Sequence, residues 1–222
     1  MLEQAAALSL RGNDLYQTPP EAVRALLKAE SLPRTIWEPA CGPGSIARTL
    51  RAAGHVVYAT DLVDYKSPDQ DMSRWDFLNE RQAPIGVEAI VTNPPFKNAD
   101  EFVEHSLKLC PKVYMLLRLS FLEGGTKSKA RRAILDGGRL AKVMPFANRL
   151  PMMHRDGYEG PKEGSKMVFA WFVWNEAHTG DATIRRLWCE KSRALKPRKE
   201  KENAALFQRM NVDETQPMRA DR

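Results

Sequence analysis

A chain of 222 residues with 43% hydrophobic and 28% charged side chains is long enough to bury one domain core and too apolar for a disordered polymer. No apolar run approaches the ~18 residues of a membrane span, residues 1–10 lack the basic cluster of a secretory leader, and Cys41, Cys110 and Cys189 form no CxxC pair, which argues against a zinc site or a disulfide framework. The formal net charge of +6 draws the protein towards polyanions, and a reduced cytoplasm is the expected location.

Residues 1–15 read as a loosely held arm. Tyr16-Gln17-Thr18-Pro19-Pro20 leads into a helix over 21–31, with Thr18 as N-cap, prolines suited to a helix start and Glu21 in the first turn. Val23, Leu26 and Leu27 form its apolar stripe. A strand over 35–40 runs into the turn Cys41-Gly42-Pro43-Gly44, and a helix over 45–53 follows with Ile46 and Leu50 inward and Gly54 as its stop. Short apolar strands over 56–60 and 88–92 end at Asp61 and Asn93. A helix over 99–109 places Phe102, Val103, Ser106 and Leu107 on one face, and 112–122 is a long apolar strand. Beyond Gly124 come a helix over 127–135, a strand over 140–146 and a polar, glycine-containing loop over 151–166. Residues 167–174 and 182–189 read as two strands joined at Gly180, and the short linkage predicts an antiparallel hairpin at the sheet edge. Between 191 and 201 six Lys and Arg face a single Glu200. The expected organisation is therefore one domain over 1–190 and a basic tail over 191–222.

Alternation of strand and helix up to residue 122 argues for an α/β, doubly wound parallel sheet with right-handed crossovers. Ligands bind such sheets outside the carboxyl ends of the strands. The glycine turn, Asp61 and Asn93 all end strands, so they converge on one rim.

In Glu38-Pro39-Ala40-Cys41-Gly42-Pro43-Gly44 the glycines allow a tight turn and close approach of backbone to ligand, and the next helix offers free N–H groups. Ala47 satisfies the looser dinucleotide fingerprint, so spacing does not discriminate. Glu38 does: a carboxylate at the mouth of the turn repels a pyrophosphate and welcomes a cationic amino-acid moiety, which favours S-adenosylmethionine over a nicotinamide dinucleotide. Asp61, with Leu62 beside it, can accept from two ribose hydroxyls. Asp76 can take an adenine amino group while an apolar neighbour, Phe77, covers the ring. A plain strand-end turn is the competing explanation for Asp61, and Asp64, Asp69 and Asp71 compete with Asp76.

Asn93-Pro94-Pro95-Phe96 is the most informative segment. Prolines fix the backbone and leave carbonyls free of competing N–H groups. An exocyclic amine on an aromatic ring is a poor nucleophile because its lone pair is delocalised. Two acceptors, the Asn93 side-chain oxygen and the Pro94 carbonyl, can draw its nitrogen towards tetrahedral geometry, which is catalysis by positioning and directed electrostatics. Phe96 offers a face on which a flipped base stacks, with Lys97 beside it.

With these segments in hand, the sequence resembles the amino-methyltransferases of the Rossmann-like class, and most closely the DNA adenine-N6 methyltransferases. Asp14–Pro20 is similar to the family's upstream cofactor motif around Tyr16, Gln17, Thr18 and Pro19. Residues 38–44 resemble its glycine motif, 93–96 its catalytic motif, and Asp61 and Asp76-Phe77 its ribose and adenine positions. The resemblance spans roughly residues 14–122. It implies a mostly parallel seven-stranded sheet with an antiparallel edge hairpin and helices on both faces, S-adenosyl-L-methionine as cofactor, no metal, and nucleic acid, DNA first, as partner. Motif order resembles the gamma arrangement, in which target recognition follows the catalytic loop, and the size resembles compact phage or prophage orphan enzymes. The 151–166 loop, with His154, Arg155, Tyr158, Lys162 and Lys166, is the candidate recognition element. RNA adenine, protein glutamine and N4-cytosine remain as alternatives. Phe96 in place of Tyr and the Tyr16–Pro19 segment count against glutamine, and Asn93 in place of Ser or Asp counts against cytosine.

Overall fold

The computed structural model describes residues 17–123, 129–152 and 167–189, all of them within one compact unit over residues 1–190. Tyr16 and the residues expected to serve recognition, His154, Arg155, Tyr158, Lys162 and Lys166, lie outside the described residues, as do the stretches read from sequence as an N-terminal arm and a basic tail.

Seven strands form one sheet: β1 (Thr35–Glu38), β2 (Val56–Ala59), β3 (Ala89–Thr92), β4 (Lys112–Arg118), β5 (Leu140–Pro145), β6 (Phe169–Asn175) and β7 (Thr183–Ile184). Their spatial order is β2-β1-β3-β4-β6-β5-β7. The β1–β2, β1–β3, β3–β4 and β5–β7 pairings are parallel, and β6 runs antiparallel to both β4 and β5. Helices α1 (Pro20–Ala29) and α2 (Ser45–Ala52) cover one face. Helices α3 (Ala99–Leu109) and α4 (Lys129–Asp136) cover the other. The mostly parallel seven-stranded sheet with helices on both faces is as expected.

The antiparallel element is not the expected edge hairpin. β6 lies inside the sheet, and the residues that follow Gly180 pair with β5 in parallel rather than with β6. Burial explains this. Residues 169–174 are apolar on both faces, with Trp171, Phe172 and Trp174 fully enclosed, the pattern of a strand in the interior of a sheet that helices cover on both faces. Both residues of β7 are exposed, so it can occupy only the edge. The long apolar stretch 112–122 is also shorter as a strand: β4 stops at Arg118, and Leu119–Leu122 coil into a 3₁₀ turn.

The start of α1 differs as well. Pro19 is the N-cap, at φ −66° and ψ 138°, and makes no side-chain cap bond; the ring already fixes the φ that the helix needs. Thr18, expected in that role, is buried, and its carbonyl accepts a hydrogen bond from Ser45 Oγ at 2.5 Å. The segment ahead of α1 is thereby fastened to the start of α2, beside the glycine turn.

Two apolar layers fill the space between sheet and helices. Ala22, Val23 and Leu26 of α1 and Ile46 and Leu50 of α2 pack against Ile36, Val91 and Trp171. On the other face Phe102 and Val103 of α3 and Ile134 of α4 pack against Trp37, Ile90, Phe172 and Trp174. Trp171 is fully enclosed, and its indole N–H donates to the Ala22 carbonyl at 3.0 Å, joining β6 to α1. Trp171→Ala is expected to cost ~3–5 kcal/mol of stability, as for other deleted core aromatics, in urea unfolding followed by far-UV circular dichroism. A loss below about 1 kcal/mol would contradict the placement of this ring at the centre of the layer.

Candidate active site

β1 delivers Glu38 to the rim and the chain then turns sharply. Gly42 and Gly44 take φ of +54° and +86°, the region where side chains are disfavoured. At Gly44 a Cβ would also collide with Asp69. The turn is closed by backbone bonds, Gly44 N–H to the Cys41 carbonyl at 2.9 Å and Cys41 N–H to the Thr60 carbonyl at 3.0 Å. It is tied across to the end of β2 by Gly42 N–H, which donates to Asp61 Oδ2 at 2.8 Å. Glu38 is buried, and its Oε2 has no hydrogen-bond partner among the described residues. Burial holds its carboxyl well above the usual carboxylate range, and the nearby Asp61 adds to the effect against a backbone hydrogen bond at Ala47. Burial, together with Glu38 and Asp61, pushes the Cys41 thiol up, which disfavours the thiolate.

Asp61 accepts at both oxygens, from Gly42 and, at 2.9 Å, from Val63 N–H. A backbone hydrogen bond at Leu62 adds to these two. Burial raises its carboxyl, and the backbone hydrogen bonds oppose the rise. The segment beyond it is pinned to α2 by Arg48 on Asp69 at 2.7 Å and Arg51 on Asp71 at 2.6 Å. Asp76 caps a 3₁₀ turn, Phe77–Asn79, through Leu78 N–H, and accepts from Asn79 Nδ2 at 2.7 Å. The Phe77 ring is buried against Trp37, Phe102 and His105, with centroids 5.1, 5.0 and 4.9 Å away.

β3 ends at Thr92, and Asn93-Pro94-Pro95 passes over the rim into a 3₁₀ turn, Phe96–Asn98, that runs directly into α3. Pro94 is buried, Asn93 and Phe96 are half-buried, and Lys97 is exposed. The Phe96 ring is gripped by two neighbours: the guanidinium carbon of Arg118 lies 4.3 Å from its centroid, and Phe169 packs at 5.8 Å. The expected base platform is therefore in part covered by protein.

These strand ends surround a cavity of about 420 Å³. Gln17, Thr18, Glu38, Pro39, Ala40, Cys41, Gly42, Asp61, Leu62, Asp76, Phe77, Asn93, Pro94, Pro95, Phe96 and Lys97 all line it. Pro19 and Gly44 do not; they act through the backbone, one starting α1 and the other α2. The sequence reading missed Val63, Tyr65, Trp75, Leu78, Asn98 and Phe102, which also line the cavity. Trp75 and Leu78 flank the motif that the reading did find. Phe102 sits on the α3 face already marked as apolar. Tyr65 carries no local signal: it is placed by the irregular loop of 61–71, where its N–H donates to Gln70 Oε1. Burial and the Asp61 charge push its phenol up to about 12. Among the described residues no group of His, Cys, Asp or Glu could hold a metal ion, and no helix is long and apolar enough to cross a membrane.

No protein-family model and no curated protein matches the sequence. Solved structures do resemble the fold. A modification subunit assigned to a type I restriction enzyme from Vibrio vulnificus aligns with TM-score 0.56 and 11% identity over 89% of this chain and 53% of that one. A protein assigned as an RNA methyltransferase from Pyrococcus horikoshii aligns with TM-score 0.52 and 13% identity over 73% and 87%. The chain has a Rossmann-like methyltransferase fold. The type IIG restriction endonuclease BpuSI, with TM-score 0.53 and 17% identity, shares it over 75% of this chain and 26% of its own. The chain thus spans about half the length of the Vibrio subunit.

Within this fold Glu38 has a signed effect on stability. A carboxyl raised above its ordinary 4.5 contributes stability that is complete below that pH and lost as pH climbs through the folded value. Glu38→Gln is therefore expected to gain stability over the parent from about pH 4.5 upwards, with the difference vanishing in more acid solution, in urea unfolding at a series of pH values. A difference that does not vary with pH would contradict the burial of an ionisable group there.

Proposed function

We propose that this protein transfers the methyl group of S-adenosylmethionine to the exocyclic N6 amine of adenine in DNA. The observation that carries the reading is the shared cavity: Asn93-Pro94-Pro95-Phe96 opens into the same space as Glu38, Asp61 and Asp76. The residues fit the cofactor. A buried carboxylate oxygen without a partner, Glu38 Oε2, is costly unless a cation or donor reaches it, and an α-ammonium supplies both. Asp61, at the end of β2 and lining the cavity, would accept from the ribose hydroxyls, and Asp76 from the adenine amino group. Gln17 and Thr18 would flank the methionine part.

S-adenosylmethionine, when bound, supplies an electrophilic methyl group on a sulfonium. The protein's share is to prepare the nucleophile. The Asn93 side-chain oxygen and the Pro94 carbonyl accept the two amine hydrogens and localise the nitrogen lone pair, which preorganised acceptors do without reorganising during the reaction. Asn93 is not a base, so the surplus proton leaves after transfer. Phe96, which lines the cavity, would contact the extruded base, and Lys97, exposed at the rim, would meet the phosphate backbone. The 151–166 loop is the proposed recognition element. Two of the three structural neighbours above are a restriction-enzyme modification subunit and a restriction endonuclease, which favours DNA; the Pyrococcus horikoshii neighbour, assigned as an RNA methyltransferase, keeps RNA as the second substrate class, with the same residues in the same roles.

Asn93→Ala is expected to lower turnover by at least ~10²–10³-fold, the scale for removal of one preorganised polar group, while S-adenosylhomocysteine binding by calorimetry stays within a few-fold of the parent. Unchanged turnover would sink the assignment of this loop.

A further inference from the structure

Arg118 ends β4 at the same rim as Asn93 and reaches over the catalytic loop, its guanidinium carbon 4.3 Å from the Phe96 centroid. Phe169, its register partner on β6, packs against the same ring at 5.8 Å with an interplanar angle of 38°. Arg118 Nε is buried and has no hydrogen-bond partner among the described residues. A second hollow, about 450 Å³, is lined by Arg118, Leu119, Ser120, Glu123 and Met167 among others, and not by Phe96. Phe96 lines the first cavity and Arg118 does not. The two residues in contact thus line different spaces, Phe96 the one that holds the acidic glycine turn and Arg118 the other.

Resting on the proposed transfer to nucleic acid, we infer that Arg118 binds the phosphodiester of the target nucleotide in this second hollow and positions Phe96 for the base in the first. A guanidinium laid over an aromatic face keeps its in-plane N–H groups for an anion, and its planar fork matches phosphate oxygens in pairs. Seating the backbone and levelling the base platform are then one event, carried by one side chain. Glu123 lines the same hollow and repels the phosphate, which keeps the strand on the Arg118 side of it. Arg118 is a positioning residue with respect to the methyl transfer and a binding residue with respect to the strand.

The test compares the full-length parent with Arg118→Ala and Arg118→Lys in steady-state methylation of an adenine-containing oligonucleotide at several salt concentrations. S-adenosylhomocysteine binding serves as the control for folding. Arg118→Ala is expected to raise KM for the oligonucleotide about tenfold, the loss of a charge-assisted contact, and to reduce the slope of log affinity against log salt by about 0.9, one phosphate contact. Arg118→Lys retains the slope, because the charge remains, and loses kcat, because an ammonium does not stack as a plane on Phe96. Parental KM and salt slope in Arg118→Ala would overturn this assignment alone. A parent chain that methylates no nucleic acid would overturn the functional reading and this inference with it.

Discussion

Gly42 N–H donating to the Asp61 carboxylate across 2.8 Å is the contact on which the rim is built, because it joins the ends of two neighbouring parallel strands through a turn that only glycine permits. Gly44, at φ +86° and with no room for a Cβ beside Asp69, lets α2 start immediately. Ser45, the first residue of α2, then reaches the Thr18 carbonyl and draws the segment ahead of α1 to the same mouth. One closed turn thus sets the positions of Glu38, Asp61 and Gln17-Thr18 together.

The closure has an electrostatic consequence. Glu38 and Asp61 are brought near each other and away from water, and both carboxyls are raised, chiefly by burial. Two acids in that state cost the rim stability, a cost that the proposed cationic, hydroxyl-rich ligand would offset. Stability given up at a site in exchange for ligand affinity is a common pattern in enzymes. Arg48 and Arg51 offset part of the cost by clamping Asp69 and Asp71 of the following loop onto α2, so the acidic stretch 61–76 stays folded over the cavity.

Much of this was legible in the sequence because the determinants are local. Helix α3 falls on the residues that its apolar spacing marks, and β1, β2 and β3 end within two residues of the expected ends, since a strand stops where glycine, aspartate or proline interrupts an apolar run. Sixteen of the residues singled out around the three motifs line one cavity, because ligands of doubly wound sheets gather at the strand ends. What could not be read was set by distant contacts. Residues 167–174 and 182–189 looked like a hairpin; the enclosure of Trp171, Phe172 and Trp174 on both faces of β6 places that strand between β4 and β5. Thr18 looked like a cap, and Ser45, 27 residues away, claims its carbonyl instead. Tyr65 reaches the cavity by way of an irregular loop that no motif marks, and Arg118 reaches Phe96 from a strand end that no motif marks. Phe96 looked like an open platform, whereas Arg118 covers one of its faces.

The central claim is that the three strand ends act as one site, with the cofactor on the glycine turn and the amine at Asn93. Incubation with tritiated-methyl S-adenosylmethionine and, in parallel, duplex DNA, single-stranded DNA, RNA and protein, followed by digestion of the product to nucleosides, tests it most directly. The account predicts label in N6-methyladenine from DNA. Label confined to protein glutamine, or to cytosine, would contradict it.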